Sequence, residues 1–111
     1  MLPRPRRLSR KDFLAAKSHG KSTRTPHFSL LTCSNNLSFS RFSIITSTKL
    51  HKSAVVRNRL RRQIYDQLST ISHQPSADII IIPHHSMLNL PRAEIGPLLN
   101  QALSKITPGI S

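Results

Sequence analysis

Between Lys49 and Arg62 the chain places six Lys or Arg residues and no acid in fourteen positions. The chemistry of that segment is grip. A guanidinium fork holds phosphate oxygens through two parallel hydrogen bonds and stacks on bases, which suits Arg57, Arg59, Arg61 and Arg62 to a polyanion. Lys49 and Lys52 add point charges just ahead of them. Asn58 brings both a donor and an acceptor, fit for a base, a ribose hydroxyl or a metal-bound water. A solvated helix face normally interleaves Glu with its cations for i,i+4 support. Here the repulsion among like charges is unrelieved, and an anionic partner would relieve it.

The other reactive side chains point away from catalysis by the protein. Asp12, Asp66, Asp78 and Glu94 lie far apart along the chain, so no carboxylate pair is set up for acid–base work. Asp12 reads as a helix start and Asp78 as a strand boundary. Of the six histidines only His84 and His85 are adjacent. Neighbouring residues rarely ligate one ion without further donors, so no metal site is assigned and the pair reads as partial charge beside a polyanion. Cys33 has no evident base partner and reads as core packing. Tyr65 falls away from the apolar stripe, where it is either exposed or able to stack on a base.

Those cations need a scaffold. Val56, Leu60, Ile64, Leu68 and Ile71 recur at spacings of four and three, which predicts an amphipathic helix from about Ser53 to Ile71. At about 100° per residue, Asn58, Arg59, Arg61 and Arg62 cover the outward side and Arg57 falls on the edge of the stripe. An arginine there must snorkel outward or sit beside an anion.

Around that helix, Ser9-Arg10-Lys11-Asp12 resembles a capped helix start, and Gly20 is a plausible terminator. Thr25-Pro26 marks extended chain. Phe28–Cys33 and Phe39–Ser47 read as strands; in the second, Phe42, Ile44 and Thr46 share one face. A third strand is expected in Leu50–Ala54 or just before it. Ile79–Ile82 is a short β-branched run, the mark of a strand covered on both faces. Residues 91–106 repeat apolar residues at helical spacing, with Gly96-Pro97 predicting a kink or a start there. The order is helix, two or three strands, helix, strand, helix: a sheet with helices packed on it.

At 111 residues, with 37% hydrophobic composition, the chain suits one modest domain, residues 9–111, after a basic tail at residues 1–8. Its net charge of +13 opposes compaction and is usually retained for a polyanion. The longest apolar run falls far short of the roughly 20 residues of a membrane span, and no apolar stretch follows the basic start as in a signal peptide. A single cysteine permits no internal disulfide. A cytoplasmic protein is expected.

Arg57-Asn58-Arg59-Leu60-Arg61-Arg62, with Lys49 and Ala54 ahead of it, resembles the Arg-Asn-Arg signature of the bacterial ribonuclease P protein family. Arg7-Leu8, Asp12-Phe13 and His19-Gly20 are similar to that family's opening helix. Arg41-Phe42-Ser43-Ile44 and Asp78–Ile82 are similar to its flanking strands. The resemblance implies an α+β fold, a two-layer α/β sandwich in the order αβββαβα with a left-handed βαβ crossover. General handedness rules would give the right-handed form, so that detail comes from the likeness alone.

The resemblance also implies one protein bound to a large catalytic RNA, with precursor tRNA as substrate and Mg²⁺ acting through the RNA. Lys49, Lys52, Arg57, Asn58, Arg59, Arg61 and Arg62 would then meet the catalytic RNA. Phe13, Lys17, Leu31 and Arg41 would line a cleft for the 5′ leader. The chain departs from the family's pattern in several places. Thr48 stands where a second lysine is common and Ser43 where glycine is. Tyr65 and Ser69 stand where arginines are common, although Asp66 keeps its acidic place. Leu31 stands where some members have an aromatic facing the leader, which predicts poorer stacking and weaker hold on the leader. A structural ribosomal or general RNA-binding protein is the rival reading, since phosphate contacts alone give affinity for almost any RNA. A DNA-reading helix fits less well, because this one is nearly all phosphate-type contacts.

Overall fold

The computed structural model describes residues 10–35, 40–70 and 77–104. The basic tail, Ser9 and Ile71 lie outside them, as do the side chains of Arg10, Asp12 and His19. Helix α1 (Arg10–His19) is followed by strands β1 (Lys21–Arg24), β2 (Phe28–Ser34) and β3 (Arg41–Ile44). Helix α2 (Ala54–Thr70), strand β4 (Ala77–Pro83), a 3₁₀ helix (His85–Asn89) and helix α3 (Arg92–Ser104) complete the order.

The four strands form one sheet in the order β1-β2-β4-β3. β4 runs antiparallel to β2 and parallel to β3, so α2 is the crossover of a βαβ unit. The isoleucine run explains its central place. Ile79, Ile80 and Ile81 are all 0% exposed, and successive strand residues face opposite sides. Ile79 and Ile81 join Phe28, Leu30, Phe42 and Ile44 in the main core, with Leu60, Ile64 and Leu68 of α2 and Ile95, Leu99 and Leu103 of α3. Ile80 faces the other side, where α1 contacts β4 and β2. One face of the sheet is thus the floor of the core, and the other is partly roofed by α1.

Several expectations change. The remaining strand is β1, ahead of β2, and residues 48–50 form a turn instead. That turn is closed by Leu50 N–H on Ser47 O at 3.0 Å, and it drops Leu50, 4% exposed, into the core. All four β1 residues are exposed, so no apolar alternation marks them; they become a strand by pairing with β2. Their hairpin is closed by Thr25, whose Oγ1 donates to Phe28 O at 2.7 Å and whose N–H donates to the same carbonyl at 2.8 Å.

β3 is shorter than its pattern, ending at Ile44, and Phe39 lies outside the described residues. Cys33 is half-buried on the α1 side of the sheet and stands outside the core. Tyr65 is half-buried against the core, where an exposed ring was an option. α3 starts before the Gly96-Pro97 pair and carries Pro97 inside it.

Candidate nucleic-acid interface

Ser53 starts α2. Its carbonyl accepts the first helical bond from Arg57 N–H at 3.1 Å, and its Oγ accepts from Val56 N–H at 3.4 Å, the role of an N-cap. The apolar stripe then buries Leu60, Ile64 and Leu68, at 3%, 0% and 0% exposure, and rotates the opposite side into water. Asn58, Arg59, Arg61 and Arg62 are all exposed there. Lys49 and Lys52, in the segment leading into the helix, are exposed as well.

The first turn of α2 holds no acid. Arg57 stands in that turn, where the backbone dipole is already positive, an arrangement that a bound anion relieves. Arg57 is half-buried, and among the described residues its Nε is shut off from solvent without a hydrogen-bond partner. A desolvated donor left unmade costs about 1–3 kcal/mol, a cost that the folded chain carries at this side chain.

The second candidate surface is the sheet face under α1. Strand register brings residues into rows on that face. Ser22, Leu31, Ile80 and Ser43 form one row; Arg24, Ser29 and Ile82 form the next; Cys33, Asp78 and Arg41 form the third. Phe13, half-buried, and exposed Lys17 lie one turn apart on α1, the helix that contacts β2 and β4. Leu31 and Arg41 therefore share the face that α1 borders.

Arg41 is already engaged. Its Nε donates to Asp78 Oδ1 at 2.8 Å and its Nη2 to Asp78 Oδ2 at 2.8 Å. Asn35 Nδ2 also donates to Asp78 Oδ1, at 2.9 Å. Asp78 is buried at 7% exposure, so it clamps two segments across the sheet and is more than a strand boundary. The guanidinium is 19% exposed and its charge is matched. Arg41 thus enters that sheet face with its charge already paired.

The cation that sequence reasoning missed is Arg24, exposed on the same face one row from Leu31. Lys21-Ser22-Thr23-Arg24 contains no apolar residue to reveal a strand, so only the pairing with β2 places it. The His84-His85 pair is divided. His84 Nε2 lies 2.9 Å from Ser29 Oγ, against the sheet, whereas His85 is exposed beyond it. His27 Nδ1 and Ser86 Oγ, 2.9 Å apart, lock the same loop to the hairpin. Among the described residues no three His, Cys, Asp or Glu side chains gather as a metal cage, and no helix is long and apolar enough to cross a membrane.

Comparison with known proteins bears directly on this geometry. A family model described as Ribonuclease P matches residues 2–107. A ribonuclease P protein component from Syntrophus aciditrophicus is 34% identical over 104 residues, spanning 88% of this chain and 87% of that protein. One from Vibrio vulnificus is 30% identical over 84 residues, spanning 75% and 71%. Among solved structures, the RNase P protein from Thermotoga maritima superposes with a TM-score of 0.81 at 27% identity, covering 91% of this chain and 97% of that one. The Staphylococcus aureus RNase P protein gives a TM-score of 0.77 at 28% identity, covering 89% and 93%.

Proposed function

The chain belongs to the ribonuclease P protein family, and from that premise we propose that it is the RNA-holding subunit of a tRNA-processing endoribonuclease whose bond cleavage is performed by the RNA. One observation carries this reading. Asn58, Arg59, Arg61 and Arg62 stand exposed together on α2, directly behind a buried stripe that fixes the helix to the sheet. Lys49, Lys52 and Arg57 extend that surface toward the start of the helix. It is a rigid phosphate-binding face, suited to docking one protein on one folded catalytic RNA.

The 5′ leader of precursor tRNA runs over the sheet face beside α1. Phe13 and Leu31 give apolar contact, and Lys17 and Arg24 neutralise phosphates. Arg41 holds the floor through Asp78. With Leu31 in place of an aromatic ring, the leader is held more by charge than by stacking. Magnesium, as a hard cation, takes oxygen ligands. The phosphates of a folded RNA supply such oxygens, and the metal acts through them. Asn58 is the side chain of the face best suited to a metal-bound water. Such a complex works in the bacterial cytoplasm.

Reconstitution tests the reading. Purified chain is added to catalytic RNA at low Mg²⁺, and release of the mature tRNA 5′ end is followed. Marked stimulation is expected, greater for precursors carrying a leader. No stimulation would return the chain to the general RNA-binding class.

A further inference from the structure

Beside the arginine face lies a groove of about 430 Å³ between α2 and the 3₁₀ helix. Its apolar floor is Val56, Leu60, Leu88 and Leu90. Its rim is His51, Arg59, Gln63, His85 and Asn89: two imidazoles, a guanidinium and two amides, with no carboxylate. We propose that this groove holds one unpaired nucleotide of a bound RNA, its base laid on the apolar floor and its phosphate on Arg59. The proposal rests on the RNA-binding reading above and adds to phosphate grip a contact that recognises a base.

The chemistry of the lining selects that occupant. Splayed bases stack on imidazole and guanidinium planes, and their edges alternate donors with acceptors, which Gln63 and Asn89 amides can match. His51 is prepared for a similar task. Ser53 N–H donates to His51 Nδ1 at 2.9 Å. The ring therefore accepts at Nδ1 and carries its proton on Nε2, where it can donate to a base nitrogen or carbonyl. The bond also ties the groove to the residue that caps α2. The groove's volume falls in the range of about 300–1,000 Å³ typical of small-molecule sites, ample for a nucleotide.

Charge decides between RNA and a protein partner. Arg59 belongs to both the groove and the exposed arginine face, so a strand lying on that face passes the groove's edge. The whole chain carries +13, which draws a polyanion there first. A second copy of the chain would bring like charge instead.

The test compares adenosine 5′-monophosphate with ribose 5-phosphate, which carries the same phosphate and no base. Each is titrated into the full chain while the His51 and His85 imidazole and the Gln63 and Asn89 side-chain amide NMR signals are followed. The nucleotide is expected to shift these signals saturably and the sugar phosphate to leave them in place. His85→Ala with Asn89→Ala, both at exposed positions, should weaken nucleotide binding about tenfold, a step of about 1.4 kcal/mol. Equal shifts with both ligands would reduce the groove to a phosphate patch and overturn the proposal. So would no shift with either, or shifts produced by raising the protein concentration alone, which would signal self-association. The wild-type titration decides the matter even if the double variant fails to fold. Precursor-tRNA cleavage is measured with the same protein and catalytic RNA: absent stimulation there, with the nucleotide shifts intact, faults the ribonuclease P role and leaves the groove standing.

Discussion

Arg57 sits half-buried on α2 with its Nε shut away from water and, among the described residues, without a hydrogen-bond partner. Removing that donor should help the free protein and harm the complex. Arg57→Leu is expected to raise unfolding stability by about 0.5–1 kcal/mol in urea, because a desolvated donor disappears and apolar contact remains. The same variant should bind RNA more weakly, as read by filter binding at fixed salt. A loss of stability with unchanged RNA binding would make Arg57 a structural residue. Asp78 presents the opposite case, since both of its carboxylate oxygens accept hydrogen bonds. Asp78→Ala takes away the carboxylate that holds the Arg41 guanidinium between β3 and β4. It should cost about 2–3 kcal/mol, discounted from the fully buried case because Arg41 is partly exposed. A denaturation midpoint close to wild type would show that the clamp contributes little.

At the scale of elements, α2 begins on a small number of contacts. Ser53 receives α2's first bond from Arg57, receives Val56 N–H on its hydroxyl and donates to His51. Ser53→Ala removes only the hydroxyl cap, so about 1 kcal/mol of stability is expected to go. Because the cations of α2 cluster near that end, fraying should also blunt RNA affinity. A circular-dichroism melt beside an RNA titration would separate the two effects. Where α3 crosses α2, Gly96 lets the helices come close: a Cβ there would run into the side-chain amide of Gln67. The obstacle is the end of a flexible side chain, while alanine gains about 1 kcal/mol of helix propensity over glycine. Gly96→Ala should therefore shift stability by less than about 1 kcal/mol in thermal melts. Larger residues, which cannot be accommodated by moving one amide, should destabilise clearly.

At the scale of the molecule, electrostatics and packing divide the labour between faces. The core occupies one side of the sheet, and the arginines of α2 and the cleft beside α1 present charge on other sides. Net charge of +13 makes RNA affinity strongly salt-dependent. Arg62→Ala should lower the slope of log affinity against log salt by about 0.7–0.9 for one lost phosphate contact. An unchanged slope would take Arg62 out of the interface. Local stability should follow the layers too: amides of β4, with its buried isoleucines, should exchange slowest, and those of edge strand β1 should exchange early.

The residues that were legible without coordinates are those whose signal is local. The α2 stripe of Leu60, Ile64 and Leu68 and the arginines opposite it follow from helical periodicity, which needs no knowledge of the partner segment. The β-branched run of β4 announced a covered strand in the same way. Tertiary structure alone decided where segments distant in sequence meet. β1 has no pattern of its own and exists because β2 offers it a free edge. Arg41 is neutralised by Asp78, a residue 37 positions away that the parallel β3–β4 register brings alongside. His51, His85 and Asn89 share a groove because the strand after α2 returns the chain to the helix's starting end. Periodicity is written residue by residue, whereas register and docking are collective choices of the packed chain, and this protein's charge pattern belongs to the first and its cleft and groove to the second.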